Sequence, residues 1–351
     1  MAEETVAIVM NDESDVYSYS KNSNFQKKAI EAGKELISKA ISEKLDINIF
    51  SSSNTFKVAD LGCHVGPNTF LAVQNIIDAV EIKCQTQQKT SKLPEFQVFF
   101  NDQVSNDFNH LFRSLPPERQ YFASGVPGSF HGRLFPSASL HFVYSSYSVQ
   151  ALSRIPKEVT DKSSPAFNKG KIHYSNSTVE VIKSFEAQYA KDLDSFLNAR
   201  AQEIVHGGLM AFVIPGRPNG TSHSEVFVLK GVELLGSSLM DLAKKGIINE
   251  EKVDSFNMPV FIPSSHEVEA AVKRNGCFNI EIIENLPQER PSPKTLSTTM
   301  RAGLGGMIKE HFGGEILDEL YDLLYKKFEE SYSSVFESGN AISLFVLLKR
   351  D

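Results

Sequence analysis

Two aspartates at the ends of apolar segments are the residues of this chain most suited to binding a ligand. Asp60 closes the run that begins at Phe56, and Asp102 closes the run that begins at Phe96. In a doubly wound sheet the carboxyl ends of neighbouring strands lie on one rim, where ligands bind. Two carboxylates there, with no lysine in the first helical turn, favour a cationic, hydroxyl-rich ligand over a triphosphate. Either aspartate alone is equally well explained as a helix N-cap.

A glycine turn follows the first aspartate. Gly62 permits a sharp turn close to a ligand, and the helical periodicity after Gly66 offers free N–H groups to an anionic group. Cys63 and His64 occupy the middle of the turn, so its spacing is not the G-x-G-x-x-G of dinucleotide sites. The turn fits S-adenosylmethionine better, because that ligand has no pyrophosphate, although a plain strand-to-helix turn also explains it.

A third turn, residues 125–130, carries two side chains suited to a nucleobase. Ser129 is able to hydrogen-bond a base, and Phe130 is able to stack on one. A simple loop with a core phenylalanine is the alternative. Joined to the two aspartates, this turn would complete one pocket.

These residues need a sheet to hold them, and the order of the segments predicts one. Apolar runs alternate with amphipathic segments through about residue 215, which is typical of a doubly wound parallel sheet. Gly207-Gly208 is predicted to cap the helix that ends at 206. The predicted strands are 56–61, 96–100, 120–126, 140–144, 209–214, 278–283 and 341–349, and the helices include 26–45, 68–81, 107–115, 178–206 and 266–274.

Two helical stretches interrupt the alternation and predict a cap over the carboxyl edge of the sheet. We expect a core of residues 1–216 and 261–351, with a lid formed by residues 1–50, and a cap of 217–260 and 297–335. A chain of 351 residues accommodates either two domains or one α/β domain with such insertions.

Composition and charge exclude several classes of protein. The net charge of −7 argues against nucleic acid as a partner, because phosphate binding needs a basic face. No run approaches the roughly 20 apolar residues of a membrane helix, and the start MAEETVAIVM lacks the basic region of a secretory signal. Cys63, Cys84 and Cys277 are widely spaced and odd in number, which suits a reducing compartment. We therefore expect a cytosolic, cytoplasmic protein without a membrane partner.

Eight stretches spread over the chain resemble the plant SABATH methyltransferases, which methylate carboxyl groups of acids such as salicylate, jasmonate and loganate, or purine nitrogens. The resemblance implies a Rossmann-like methyltransferase sheet with a helical cap, S-adenosyl-L-methionine as cofactor, and a homodimer. The stretches are YSYSKNSNFQ (17–26), VADLGCHVGPNTF (58–70), QVFFND (97–102), NDFNHLFRSLP (106–116), GVPGSFHGRLFP (125–136), HFVYSSYSVQALSRIP (141–156), NKGKIHY (168–174) and KVDSFNMPVF (252–261).

The resemblance also implies roles for individual residues. The cofactor-binding residues would be Ser23, Gln26, Asp60, Gly62, Cys63, Asn68, Asp102, Gln103, Ser129, Phe130 and Ser146. The substrate-binding residues would be Tyr19, Gln26, Tyr147, Gln150 and Ala151, with Gln26 and Tyr147 positioning the acid. Some members hold a divalent ion beside the pocket, and its ligands would be Asn168, Asp254, Phe256 and Asn257. Oxygen ligands of this kind suit Mg²⁺, with Phe256 contributing only its backbone carbonyl.

Three positions depart from the family pattern. Gln103 stands where leucine usually lies beside the adenine, and Tyr144 stands where histidine is usual. Ala151 replaces a tryptophan whose N–H, together with the glutamine at position 26, holds the substrate carboxylate in the family. Loss of one donor would weaken binding of a buried carboxylate by roughly 1–3 kcal/mol.

Three explanations of Ala151 remain open from the sequence. In the first, the substrate is larger and the missing donor is replaced by Gln150, Tyr147 or Tyr19. In the second, the nucleophile is a nitrogen or an enol instead of a simple carboxylate. In the third, the pocket has lost its catalytic activity and kept only ligand binding.

A carboxylate is already ionised at pH 7, so methyl transfer to it needs no general base. The rate must come from holding the oxygen in line with the methyl group and excluding water. We therefore predict a methyltransferase that forms the methyl ester of a small acid of plant specialised metabolism. The alternatives are an N-methyltransferase of a purine-like heterocycle and a catalytically silent homologue that binds the cofactor.

Overall fold

A computed structural model describes residues 15–50, 53–87, 93–333 and 341–351 of the chain. Within these ranges seven strands form one sheet in the order β3-β2-β1-β4-β5-β7-β6. The strands are β1 (Thr55–Leu61), β2 (Glu95–Asp102), β3 (Phe122–Pro127), β4 (Leu140–Ser146), β5 (Ile204–Pro215), β6 (Phe278–Pro287) and β7 (Ile342–Arg350).

The strand order creates a ligand crevice beside the first strand. Strands β1 to β5 are parallel, with β2 and β4 on either side of β1. The chain therefore reverses its direction of progress across the sheet at β1, and in such sheets ligands bind outside the carboxyl ends of the strands at this point. Strand β7 runs antiparallel between β5 and β6, so the sheet is mixed rather than wholly parallel.

Helices cover both faces of the sheet, which is why its strands are apolar in nearly continuous runs. Val58 faces the cluster formed with α2 and α3, whereas its neighbour Ala59 faces the cluster formed with α5 and α8. The described helices are α1 (Tyr19–Asn22), α2 (Asn24–Lys44), α3 (Pro67–Gln87), α4 (Phe108–Arg113), α5 (Val179–Glu203), α6 (Phe227–Lys244), α7 (Glu250–Ser255), α8 (Ser265–Asn275), α9 (Pro293–Phe312) and α10 (Leu317–Ser331).

A third group of buried side chains lies among α6, α7, α9 and α10. Helix α10 packs against both α6 and α9, and this helical layer has a hydrophobic interior of its own. The predicted cap falls on these helices, and its boundaries stay a prediction. Residues 1–14 of the predicted lid lie outside the described residues.

Two element boundaries differ from those predicted. Helix α5 ends at Glu203, and Gly207-Gly208 lie inside β5 instead of capping the helix. The pairing of β4 with β5 skips from Leu140 to Phe142 there, and Gly207 has a φ of +78°, so the glycines serve a β-bulge. The predicted helical stretch 297–335 contains two helices, which separate at Gly313, where φ is +104°.

None of the helices in the described ranges combines the length and apolarity needed to cross a membrane.

Candidate functional site

Asp60 lies at the carboxyl end of β1 with only 3% of its surface exposed. Its Oδ2 accepts a hydrogen bond from Oγ1 of Thr69, in the first turn of α3. The pKa of Asp60 is raised to about 7, mainly by burial and to a smaller extent by the nearby Asp102, while the hydrogen bond from Thr69 opposes the rise. A cationic or hydroxyl-bearing ligand group would stabilise the carboxylate that burial disfavours.

The turn after Asp60 requires glycine at position 62. Gly62 has a φ of +77°, and a Cβ added there would lie 2.1 Å from Oγ of Ser148. The backbone N–H groups of Gly62 and Cys63 both donate to the carbonyl of Asn101, at 2.8 and 3.0 Å. These bonds hold the end of β1 against the end of β2, and the chain turns sharply at Gly62, as predicted.

Asp102 closes the same rim from β2. Its two carboxylate oxygens accept hydrogen bonds from the backbone N–H groups of His64, at 2.8 Å, and Gln103, at 2.7 Å. Burial raises the pKa of Asp102, and these two hydrogen bonds oppose the rise. Each oxygen keeps a second lone pair for a ligand donor, so Asp102 both shapes the turn and remains able to bind.

The loop after β3 brings Ser129 and Phe130 to this rim. The N–H of Gly128 donates to the backbone carbonyl of Asp102 at 2.9 Å, so the loop begins beside the second aspartate. Phe130 is buried and packs edge-on against Phe196. The loop that carries the serine and the phenylalanine therefore begins beside Asp102, and a Cβ built on Gly62 would lie 3.8 Å from Cε1 of Phe130.

A buried ion pair that the sequence analysis did not identify supports this loop. Arg200 and Glu203, both 0% exposed on α5, are 2.7 Å apart at their charged atoms. The guanidinium also donates to the carbonyls of Phe130 and Gly132, at 3.0 and 2.9 Å. Glu203 accepts from the N–H groups of two further loop residues, Leu134 and Phe135.

A narrow cavity opens between β1, α3 and the start of α2. Six of the predicted cofactor residues line it, namely Gln26, Asp60, Gly62, Cys63, Asn68 and Ser146. The other five predicted cofactor residues are not among its lining residues, namely Ser23, Asp102, Gln103, Ser129 and Phe130. The Nδ2 of Asn68 donates to Ser23, at 2.9 Å from its hydroxyl, and this bond joins α3 to the start of α2.

A second cavity, of about 220 Å³, adjoins the first. Tyr19 and Gln26 line both cavities, and Tyr147 and Gln150 line the second. Four of the five predicted substrate residues therefore meet there. Ala151 is not among the lining residues, although its backbone pairs in an antiparallel bridge with Val260, which is one of them.

Tyr147 has a backbone conformation that few side chains adopt. Its φ is +55°, and its N–H donates to the carbonyl of Val213 at 2.7 Å. Its hydroxyl lies 2.5 Å from Oγ of Ser343 on β7, a residue that sequence reasoning missed. The strained turn and the serine aim the tyrosine into the second cavity.

The glutamines of the second cavity differ in what they are able to donate. Nε2 of Gln150 already donates to the carbonyl of Tyr147, at 2.6 Å, which leaves Oε1 without a partner among the described residues. Oε1 of Gln26 is likewise buried without a hydrogen bond in the described part of the chain. Rotation of the Gln26 amide about χ3 would present Nε2 to a ligand instead.

His173 also lines the second cavity and was not predicted. Its Nε2 lies 3.0 Å from the carbonyl oxygen of Val260, so this nitrogen carries the proton and donates it. Burial lowers the pKa of His173 to about 3. The imidazole is therefore neutral at physiological pH and its proton is already used.

The start of the described chain, part of the predicted lid, contacts the helical layer. The ring of Tyr17 lies 3.9 Å from the guanidinium carbon of Arg301 on α9, a cation–π contact. Tyr19 packs edge-on against His64 in the glycine turn, with ring centroids 5.0 Å apart. The N-terminal segment therefore contacts both the helical layer and the glycine turn after Asp60.

The four predicted metal ligands lie close together beside α7. Nδ2 of Asn168 donates to Oδ1 of Asn257 at 2.7 Å, and Oδ1 of Asp254 accepts from the N–H of Gly170 at 2.6 Å. Phe256 lies between Asp254 and Asn257 in sequence and offers a backbone carbonyl. Among the residues that the structure describes, no three His, Cys, Asp or Glu side chains form a metal cluster.

Known proteins resemble the chain over its whole length. A model of the SAM dependent carboxyl methyltransferase family matches residues 5–351. Loganic acid O-methyltransferase of Catharanthus roseus is 47% identical over 349 residues, 96% of this chain and 92% of its own. Farnesoic acid carboxyl-O-methyltransferase of Arabidopsis thaliana is 41% identical over 338 residues, 95% of this chain and 96% of its own.

A solved structure shares the fold in detail. The structure of a loganic acid methyltransferase with S-adenosylhomocysteine (SAH) superposes with a TM-score of 0.94 at 46% identity, covering 98% of this chain and 99% of that one. This match confirms the predicted methyltransferase sheet, and a relative that holds SAH agrees with the predicted cofactor. The chain therefore belongs to the SABATH family of S-adenosylmethionine-dependent carboxyl methyltransferases, as its sequence motifs predicted.

Proposed function

We propose that this methyltransferase forms the methyl ester of a small carboxylic acid of plant specialised metabolism, with Gln26 and Tyr147 holding the acid. The observation that carries the proposal is the shared wall of the two cavities. Gln26 borders the cavity of Asp60 and also the cavity of Tyr147. A carboxylate bound to Gln26 would therefore lie at the junction, where a methyl group must pass from donor to acceptor.

When bound, S-adenosylmethionine supplies a methyl group on a sulfonium, which is electrophilic without further activation. The protein has only to position the acid, since a carboxylate is ionised at neutral pH. We call the second cavity, which contains Tyr147 and His173, the acceptor cavity. Its histidine agrees with this mechanism, because burial lowers the pKa of His173 to about 3 and the Nε2 proton is donated to the carbonyl of Val260. We infer that no side chain of this cavity acts as a general base.

The hydrogen bonds around this cavity limit which side chains have a donor available to replace the tryptophan that is missing at position 151. Nε2 of Gln150 is engaged with the Tyr147 carbonyl, so this amide offers an acceptor to the cavity. Ser343 and Tyr147 share one hydrogen bond, and donation by the serine would leave the tyrosine proton for the substrate. We infer that the Gln26 amide and the Tyr147 hydroxyl bind the carboxylate, and that Asp60 and Asp102 bind the cofactor.

A divalent ion site is a second element of the proposal. One carboxylate, two amide oxygens and a backbone carbonyl form an all-oxygen donor set, which suits Mg²⁺. Asp254, Asn168, Asn257 and the carbonyl of Phe256 would hold the ion, which supplies a local positive charge. In the described structure the amide oxygens accept hydrogen bonds instead, for example from Ser177 to Asn168 at 2.6 Å.

We also propose that the protein is a cytosolic homodimer. All three cysteines are free thiols, which supports a reducing compartment. Phe122 is 62% exposed at the start of β3, the edge strand of the sheet, and this edge would provide a contact for a second copy. Light scattering after gel filtration would test the dimer, and a monomer at micromolar concentration would contradict it.

Transfer of labelled methyl groups to a panel of acids tests the main proposal. We expect label that base releases, because esters are base-labile. Base-stable label on a purine-like heterocycle would support N-methylation instead, and SAH binding without turnover on any acceptor would support a silent homologue. Gln26→Ala should lose most activity, whereas Gln202→Ala, the same change at an exposed position of α5, should retain it.

A further inference from the structure

The acceptor cavity is polar at one end and apolar along the rest of its wall. Tyr19 and Gln26, which also border the cofactor cavity, provide polar groups at that end together with Tyr147 and Gln150. On the proposed function, we propose that the acid has an unglycosylated aliphatic body, and that its carboxylate is its only strongly polar group.

Two helices of the cap provide the apolar wall. Helix α6 contributes Phe227, Leu229 and Val232, and helix α9 contributes Leu296, Met300 and Leu304. Aliphatic side chains predominate, and methionine adapts its shape to irregular apolar ligands. No charged side chain lines this cavity among the described residues.

The remaining polar groups on the wall are poorly placed to bind a sugar. Nε2 of His173 donates to Val260, and Nδ1 lies 3.4 Å from the N–H of Ser175. Thr299 adds a single hydroxyl on the α9 side. A buried sugar ring carries several hydroxyl groups that each need a partner, so this wall favours an acid without one.

Gly303 provides an independent indication that the cavity holds a bulky apolar ligand. It lies inside α9, where glycine is less favourable than alanine. A Cβ added there would meet nothing within 4 Å, so packing within the protein does not require glycine. Gly303 also lines the acceptor cavity. The missing side chain therefore leaves space that the body of the acid would fill.

Kinetics on a series of acids test the inference. For saturated straight-chain acids, kcat/KM should rise about fourfold with each added methylene until the cavity is full. Farnesoic acid should be a better substrate than loganic acid, a glucoside, by roughly 100-fold or more. Comparable kcat/KM for the two acids would overturn the inference while leaving ester formation intact; no base-labile label on any acid would instead overturn the proposed function.

A cavity-filling variant makes the test specific to this wall. Gly303→Leu should lower kcat/KM for the longest acids at least tenfold more than kcat/KM for the shortest acids. Thr298→Leu, on the same helix but outside the cavity lining, is the matched control and should not change the chain-length profile. A Gly303→Leu profile identical to that of the unmodified enzyme would show that the acid body lies elsewhere. Gly303→Ala, a smaller change, covers the case in which leucine prevents folding.

Discussion

Asp60→Asn is predicted to make the cofactor-free protein more stable at alkaline pH. The change is nearly isosteric and keeps an acceptor for the hydroxyl of Thr69, which bonds to the aspartate. It removes the need to ionise a side chain that is 3% exposed and lies near Asp102. The buried charge lowers the free energy of unfolding only at pH values at which Asp60 is ionised in the folded protein.

The pKa of Asp60 in the folded protein, about 7, gives the magnitude. An unfolded chain has an aspartate pKa of about 3.9, and the rise from this value to the folded-state pKa corresponds to about 4 kcal/mol at most. Because the folded-state pKa is raised, Asp60 has no effect below about pH 4. It lowers the free energy of unfolding progressively between pH 4 and 7, and the loss is constant at higher pH.

Urea denaturation from pH 5 to 8.5, without cofactor, measures this difference. The stability difference in favour of Asp60→Asn should be smallest at pH 5, grow up to about pH 7 and stay constant to pH 8.5, while the affinity of the variant for SAH falls sharply in calorimetry. Asp322→Asn, at an exposed position of α10, should leave the pH profile unchanged. Parallel profiles for the Asp60 variant and the unmodified protein would refute the inference that Asp60 is ionised at a cost.

Three further changes test other parts of the site. Ser343→Ala should lower kcat/KM about fivefold by removing a hydrogen bond of about 1 kcal/mol to Tyr147; in a Tyr147→Phe background it should have no further effect, and additive losses would contradict the coupling. Ala151→Trp should raise activity on small aromatic acids such as salicylate and lower it on long aliphatic acids, by restoring a donor and reducing the space; no gain on salicylate would mean that the cavity differs beyond this position. Glu203→Gln should lower the free energy of unfolding by about 3–5 kcal/mol, because it leaves the Arg200 charge buried without its partner. It should also weaken SAH binding, because the loop that carries Phe130 becomes less ordered. A loss of stability under about 1 kcal/mol would show that the ion pair does not support the loop.

The features predicted correctly from the sequence are those that depend on neighbouring residues. Asp60, Gly62 and the start of α3 lie within a few positions of one another, and strand, turn and helix each have a local pattern. Gly207 shows the limit of such patterns, because a glycine pair after a helix is typical of a cap. Its role in a bulge arises only from the pairing of β5 with β4.

Contacts between distant parts of the chain were not predictable. Ser343 touches Tyr147 across 196 positions, and Arg200 contacts the Phe130 carbonyl across 70. Neither serine nor a lone arginine in a helix has a pattern that indicates such a partner. The antiparallel insertion of β7 between β5 and β6 escaped prediction for the same reason, since strand order is not written in the periodicity of a single strand.

Tyr19 and Gln26 belong to the walls of both cavities, and this arrangement links the two binding equilibria. A ligand that orders these side chains for one cavity reduces the entropy that the second ligand must lose on binding. Linkage then requires reciprocity: SAH should tighten binding of the acid by the same factor by which the acid tightens binding of SAH. An enzyme of this kind retains its acceptor best when the donor is present, so the free acid alone would seldom occupy the site.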